Sequence, residues 1–433
     1  MFKLRVTKKK YLEAGVTVII TGMLAVSNYM GAQNADKSGI LTKGQIEEDR
    51  NQAIKYVEDV HPFFVTDQDQ SEYRRAKEKY IEETQKSMSV SELRMSTSEY
   101  LSSLHDAHTV VSWGKEPRLQ MVQIYRDGKT YLCENGKITD VYVGEIGGIP
   151  ISDIYKKIDE VRPIENESGR SVNRESYLWI KSILESCGVE IEENKTEVQL
   201  SDGTRREYTF GNEVDMWEAR YIQGENRWFM DGDIFVVDLN ECIVDGKTKE
   251  IVQELETAVK HGCGKVIIDV RGNGGGTSHA VETLLEAMGM EYPTFGSLIR
   301  YSPEVKKVME KNGYEGYRDR GISKSYGDIY AAKQNKAIQL IVLSDRHTFS
   351  AATMLCTYVR DGKLGEIVGE ASFNQPNAYG DFINVTLEHS KIEMYVSHKQ
   401  LIRPDDANTE NILIPDVEVY AEGAYEKAVE ILS

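Results

Sequence analysis

Apolar residues recur near helical spacing from Leu41 to Leu104. Ile46, Ala53, Ile54, Tyr56 and Val57 fall on one face, and Thr42 stands where an N-cap belongs. His61-Pro62 closes this helix, because the residue before a proline avoids the helical region. Two more helices are predicted over about 70–86 and 91–104. From Leu119 to Val143 the pattern changes: short apolar runs alternate with the turn pairs Asp127-Gly128 and Asn135-Gly136, a β-meander. Helices are expected over 151–161 and 172–186, then a hairpin turning at Asp202-Gly203. After about Met230 the apolar runs become continuous, as buried strands require, over 234–239, 265–270 and 337–343. Helical patterns over 247–261, 278–289 and 350–361 lie between or after them. Strands alternating with helices predict an α/β layer with parallel pairings. The fold class is therefore α/β: an N-terminal helical part (36–115), a β-rich middle (116–229) and a C-terminal α/β core (230–433). Residues 301–330 carry charge, tyrosine and glycine and read as a surface insertion that forms part of a substrate groove.

The first 35 residues have another pattern. Lys3, Arg5, Lys8, Lys9 and Lys10 precede an apolar run of 11 residues, 16–26, followed by small and polar residues. This reads as an export segment, too short for a full span of about 20 residues. Ala25 and Ser27 fit a small-x-small cleavage pattern but crowd the apolar run, so the segment is either removed or kept as an anchor. The expected location is extracytoplasmic, secreted or held at the membrane. Net charge changes the picture further. The chain carries −18; its first 35 residues carry +4, which leaves −22 for the body. So acidic a body has no footprint for phosphate backbones, which excludes nucleic acid as a partner. The five cysteines are sparse and odd in number, neither a disulfide framework nor a zinc motif.

Two sites carry candidate chemistry. Gly274-Gly275-Gly276 follows an apolar strand and precedes a helix. Glycines there let backbone N–H groups approach a ligand, although a plain tight turn explains them too. Ser350, in Thr348-Phe349-Ser350-Ala351-Ala352, sits between a strand and a helix. At a helix N-terminus it is either an N-cap or a hydroxyl whose developing charge the helix favours.

Taken in order, Asp269 to Gly276, Thr348 to Ala352, Ile367-Val368-Gly369-Glu370 and Ile414 to Val419 resemble the C-terminal processing (tail-specific) serine peptidases and their tricorn-protease relatives. His61-Pro62, the Leu104–Thr109 stretch and Ile146 to Ile151 fit the same resemblance. It implies a core of the ClpP/crotonase-like type, with Ser350 as nucleophile and the N–H groups of Gly276 and Ala351 as oxyanion hole. The sequence departs from the family in two ways. The lysine that activates the serine belongs 25 residues after it, where this chain has Gln375, and the family glutamine four residues on is Tyr379. A typical PDZ module is also missing from the middle region. The tricorn branch implies another base: His108 matches its histidine, and Glu410 matches the glutamate that completes the set, while Ala107 replaces a neighbouring serine. His105 and His347 are the rival bases, and a purely structural His108 stays open. The remaining histidines show no metal-ligand spacing.

The reading is an exported serine endopeptidase with a Ser350/His108/Glu410 set, acting on proteins or peptides through an acyl-enzyme, with no cofactor or metal. The alternative is a non-catalytic relative that binds a peptide or apolar ligand in the same cleft. The missing lysine favours it.

Overall fold

The structure is a computed structural model that describes residues 39–66, 68–114, 116–135, 137–212, 224–314 and 316–433. The N-terminal segment read from the sequence as an export signal lies outside the described residues. The apolar runs of the C-terminal part form one sheet. Strands Ile234–Asp238, Lys265–Asp269, Gln339–Ser344, Glu366–Gly369 and Val417–Glu418 are parallel neighbours in that order, with Arg227–Asp231 antiparallel at the edge. A parallel sheet must be covered on both faces, which is why these strands lack polar alternation. Helices Gly246–Lys260, Ser278–Ala287 and Ala351–Gly362 cover one face through Ile251, Leu255, Leu284 and Leu355. Helix Ala424–Leu432 covers the other through Ala424, Ala428 and Leu432. Asp269 is level with Leu343 across the adjacent strands. The glycine turn and the Ser350 loop therefore leave the sheet side by side at its carboxyl edge, where α/β sheets bind ligands.

A second sheet joins Gly321–Ser325, Gly296–Tyr301, Glu393–Ile402 and Tyr379–Thr386, and Val110–Val111 pairs on Tyr395 and Met394. It packs on helices Lys43–Val60, Ser71–Glu83 and Val90–Ser102. Thr42 caps the first of these in a capping box with Gln45, and Ser89 and Glu92 repeat the device on the third. The expectation of a surface insertion over 301–330 needs correction. Helix Pro303–Lys311 buries Val305 and Met309 completely in this N-terminal core. Its charged face masked a pair of apolar residues at i and i+4.

The middle region forms a third sheet, ordered Arg118–Leu119, Arg205–Gly211, Lys195–Leu200, Lys137–Ile146, Lys129–Glu134, Gln123–Arg126. Asp127 and Gly128, at φ 50° and 81°, make the expected hairpin turn. Helices Ile151–Val161, Glu167–Tyr177 and Lys181–Ser186 cover it. The single helix expected over 172–186 is broken: Leu178, Trp179 and Ile180 enter the core, and Ile180 turns extended to bridge Arg118.

His398 in strand Glu393–Ile402 is fully buried, and neither ring nitrogen has a hydrogen-bond partner among the described residues. Burial pushes its pKa down to about 4 from 6.5. The unfolded chain therefore binds a proton there that the folded chain refuses. This contribution to stability is complete above pH 6.5 and is lost as pH falls toward 4. His398→Leu is expected to flatten the stability curve across that window by on the order of 3 kcal/mol. Urea unfolding at pH 7 and pH 4.5 measures it; an unchanged difference between the two pH values would refute the assignment.

Candidate active site

Ser350 follows strand Gln339–Ser344 at the start of helix Ala351–Gly362, with φ 54° and ψ −120°. A serine at positive φ is strained and persists only where neighbours hold it. Here they are explicit. The Ser350 N–H donates to Asn374 Oδ1 at 2.8 Å, and Thr353 Oγ1 donates to the same oxygen. Asp345 Oδ1 accepts from the N–H groups of Gly272 and His347, and the Phe349 N–H donates to the Asn273 carbonyl. The serine loop, the glycine turn and the 372–375 loop thus form one bonded unit. The Ser350 hydroxyl makes no cap bond to its own helix; it faces a histidine instead.

That histidine is His108. Its Nε2 lies 3.2 Å from Ser350 Oγ, and its ring stacks on Phe349 at 4.4 Å between centroids. It is positioned by the short link from helix Val90–Ser102 to strand Val110–Val111. The rivals point elsewhere. His105 faces Glu72 at the surface at 3.1 Å, and His347 faces Glu175 at 3.2 Å.

Behind His108 lies Asp106, fully buried. Its Oδ1 accepts the His108 backbone N–H at 2.9 Å and lies 3.8 Å from His108 Nδ1. The second distance is electrostatic reach rather than a hydrogen bond. Oδ2 accepts from Ser397 Oγ at 2.6 Å and contacts His61 Nε2 at 3.1 Å. His61 Nδ1 accepts the Phe63 N–H, so the His61 proton sits on Nε2 and is donated to Asp106. Burial alone would raise the Asp106 pKa, but His108 and His61 hold this carboxyl well below the usual range.

A second carboxylate arrives from the middle region. Glu165 Oε1 accepts the Ala107 N–H at 2.8 Å, and Oε2 accepts the Gln375 N–H at 2.9 Å. Glu165 thereby ties the histidine loop to the loop that holds Asn374. Burial, then the charge of Asp106, push its pKa up to about 8. Sequence reasoning missed Glu165: it lies 58 and 210 residues from its two partners, and no motif marks it.

The structure does not bring Glu410 to this group. Its carboxylate is exposed and accepts from the Asn408 amide, because the 405–411 loop turns outward over Asp405 and Asn408. The carboxylates near His108 are Asp106 and Glu165. With His108 they are the one grouping among the described residues that has metal-ligand spacing, their donor atoms lying within 4.8 Å of one another.

Gly276 pairs with Cys242 in a parallel bridge: the Cys242 N–H donates to the Gly275 carbonyl, and the Thr277 N–H to the Cys242 carbonyl. In that pattern the N–H of Gly276 itself points away from Cys242. Gly275 packs against the serine. A Cβ there, at φ 97°, would stand 2.6 Å from Ser350 Cβ and 3.0 Å from the Ala351 nitrogen. Only glycine lets the turn come this close.

A strained serine at a helix N-terminus, within reach of a buried imidazole and against a glycine turn, defines the class of serine-type peptidases. More narrowly, residues 233–419 match the family model of peptidase family S41. Solved structures with a similar fold include mature CPAF, at 13% identity and TM-score 0.59 over 90% of this chain and 96% of that one. Mature CPAF complexed with lactacystin gives 14% and 0.59, over 90% and 97%. The photosystem II D1 C-terminal processing protease gives 15% and 0.45, over 88% and 94%. No curated protein matches the chain in sequence. No helix of the described residues is long and apolar enough to cross a membrane.

Proposed function

We propose that this chain is an exported serine endopeptidase that cleaves proteins or peptides through an acyl-enzyme on Ser350. The observation that carries the reading is the 3.2 Å approach of His108 Nε2 to Ser350 Oγ at a strained helix N-terminus. Ser350 Oγ attacks the substrate carbonyl carbon while His108 Nε2 takes its proton. For Nε2 to accept, the ring proton must sit on Nδ1, which faces the anion of Asp106. That anion favours the imidazolium as it forms, in place of the exposed Glu410. The N–H groups of Ala351 and Gly276 receive the oxyanion. His108 then gives its proton to the leaving amine, and a water repeats the cycle on the ester. Gln375 supplies no base; its backbone N–H is spent on Glu165. The basic, apolar N-terminus supports export, with retention at the membrane if the segment stays uncut.

A fluorophosphonate probe tests this reading. Intact-mass spectrometry should show one adduct on the wild type, mapped to Ser350, and none on Ser350→Ala. A wild type that takes no adduct would leave the chain a non-catalytic relative with a binding cleft.

A further inference from the structure

We propose that Asp106, His108 and Glu165 form a binding site for a zinc-like divalent cation that switches the peptidase off. The switching rests on the catalytic reading above; the binding does not. Two independent observations support the site. The first is the grouping: one imidazole nitrogen and two carboxylates, drawn from two parts of the chain, with donor atoms within 4.8 Å of one another. The second is an orphan. His108 is buried, and its Nδ1 has no hydrogen-bond partner among the described residues. A buried polar atom left unpaired is costly, and this one faces Asp106 Oδ1 at 3.8 Å.

The donor set selects the ion. An imidazole nitrogen with two carboxylate oxygens suits zinc, whereas magnesium and calcium prefer oxygen alone. Bonds of roughly 2.0–2.1 Å put tetrahedral ligands about 3.4 Å apart. His108 Nδ1 and Asp106 Oδ1 already stand at 3.8 Å. Binding displaces the Glu165 proton to solvent, after which two carboxylates and a neutral imidazole match a dication in charge, and the Ala107, His108 and Gln375 N–H groups hold the carboxylates in place.

The effect on the reaction follows from the tautomer. A cation on Nδ1 takes that lone pair and excludes the proton from it. The ring proton then sits on Nε2, which donates to Ser350 Oγ and has nothing left to accept with. The serine stays protonated.

The test uses the full chain, freed of metal by a chelator. ZnCl2 is titrated into the Ser350→Ala protein against a chromophoric competitor, with bound metal counted by plasma mass spectrometry. One zinc per chain is expected, with affinity at least tenfold weaker after Glu165→Gln or after His108→Ala, and no competition from Mg²⁺ at equal concentration. No binding at 100 μM, or binding that both substitutions leave unchanged, overturns the site. Should either variant fail to fold, X-ray absorption of the zinc-loaded protein decides: one nitrogen and oxygens near 2.0 Å sustain the site, and a sulfur or multi-imidazole shell overturns it. On the wild type, zinc should slow fluorophosphonate labelling at least tenfold, and EDTA should restore it. Zinc bound at these residues with labelling unchanged overturns the switch. No labelling even in chelator sinks the catalytic reading while the metal count still judges the site.

Discussion

Ser350→Ala and His108→Ala are each expected to lower kcat on a peptide substrate by about four to six orders of magnitude, with KM within a few-fold. On the proposed mechanism the two side chains act as one unit, since the hydroxyl attacks as its proton leaves for Nε2, 3.2 Å away. Removing either should therefore cost nearly as much as removing both, and the double variant should be no slower than the slower single one. Ser350→Ala removes one partly exposed oxygen, whereas His108→Ala removes a buried ring packed on Phe349 and near Phe382, so its stability is followed as well. Stopped-time assays on a quenched fluorescent peptide, with melting curves as control, measure this. Multiplicative losses would show that the two groups act separately. Near-wild-type turnover of His108→Ala would move the base elsewhere.

Asp106→Asn should lower kcat by about two to four orders of magnitude and destabilise the fold as well. The carboxylate accepts on both oxygens: from the His108 N–H on one, from Ser397 Oγ and His61 Nε2 on the other. An amide has one oxygen only, so its NH2 must face a donor whichever way it turns. The anion that favours the His108 imidazolium disappears at the same time. Glu410→Gln, on an exposed loop, should stay within about twofold of wild type. Equal losses in the two variants would return the orienting role to Glu410. The measurements are kcat at neutral pH and urea unfolding of each variant.

Much of the fold is legible in the sequence where one segment decides its own fate. The runs at 234–239, 265–270 and 337–343 are apolar enough to read as buried strands between turns, and Asp127-Gly128 reads as a turn. Ser350 and His108 are legible through the resemblance of their short motifs. Asp106, His61 and Glu165 are not, because their roles exist only across the chain. Glu165 binds two backbone N–H groups, and a backbone donor leaves no trace in residue type. His61 carries the signal of a helix end, which it is, and so hides its second task of donating to Asp106. Glu410 shows the opposite error: position along the chain put it near the site, and the turn at Asn408 carries it to the surface.

The two halves of the Ser350–His108 pair lie 242 residues apart in sequence. At a synthesis rate of roughly 5–20 residues per second, the histidine leaves the ribosome about 12–48 s before the serine. On the proposed mechanism the nascent chain holds half a site for that interval and cuts nothing. The elements that bring the serine into line come later still: Asn374 positions its backbone, and strand Val417–Glu418 closes the edge of its sheet. The order of residues along the chain is thus itself a delay timer, which withholds hydrolysis until almost the whole protein has been made.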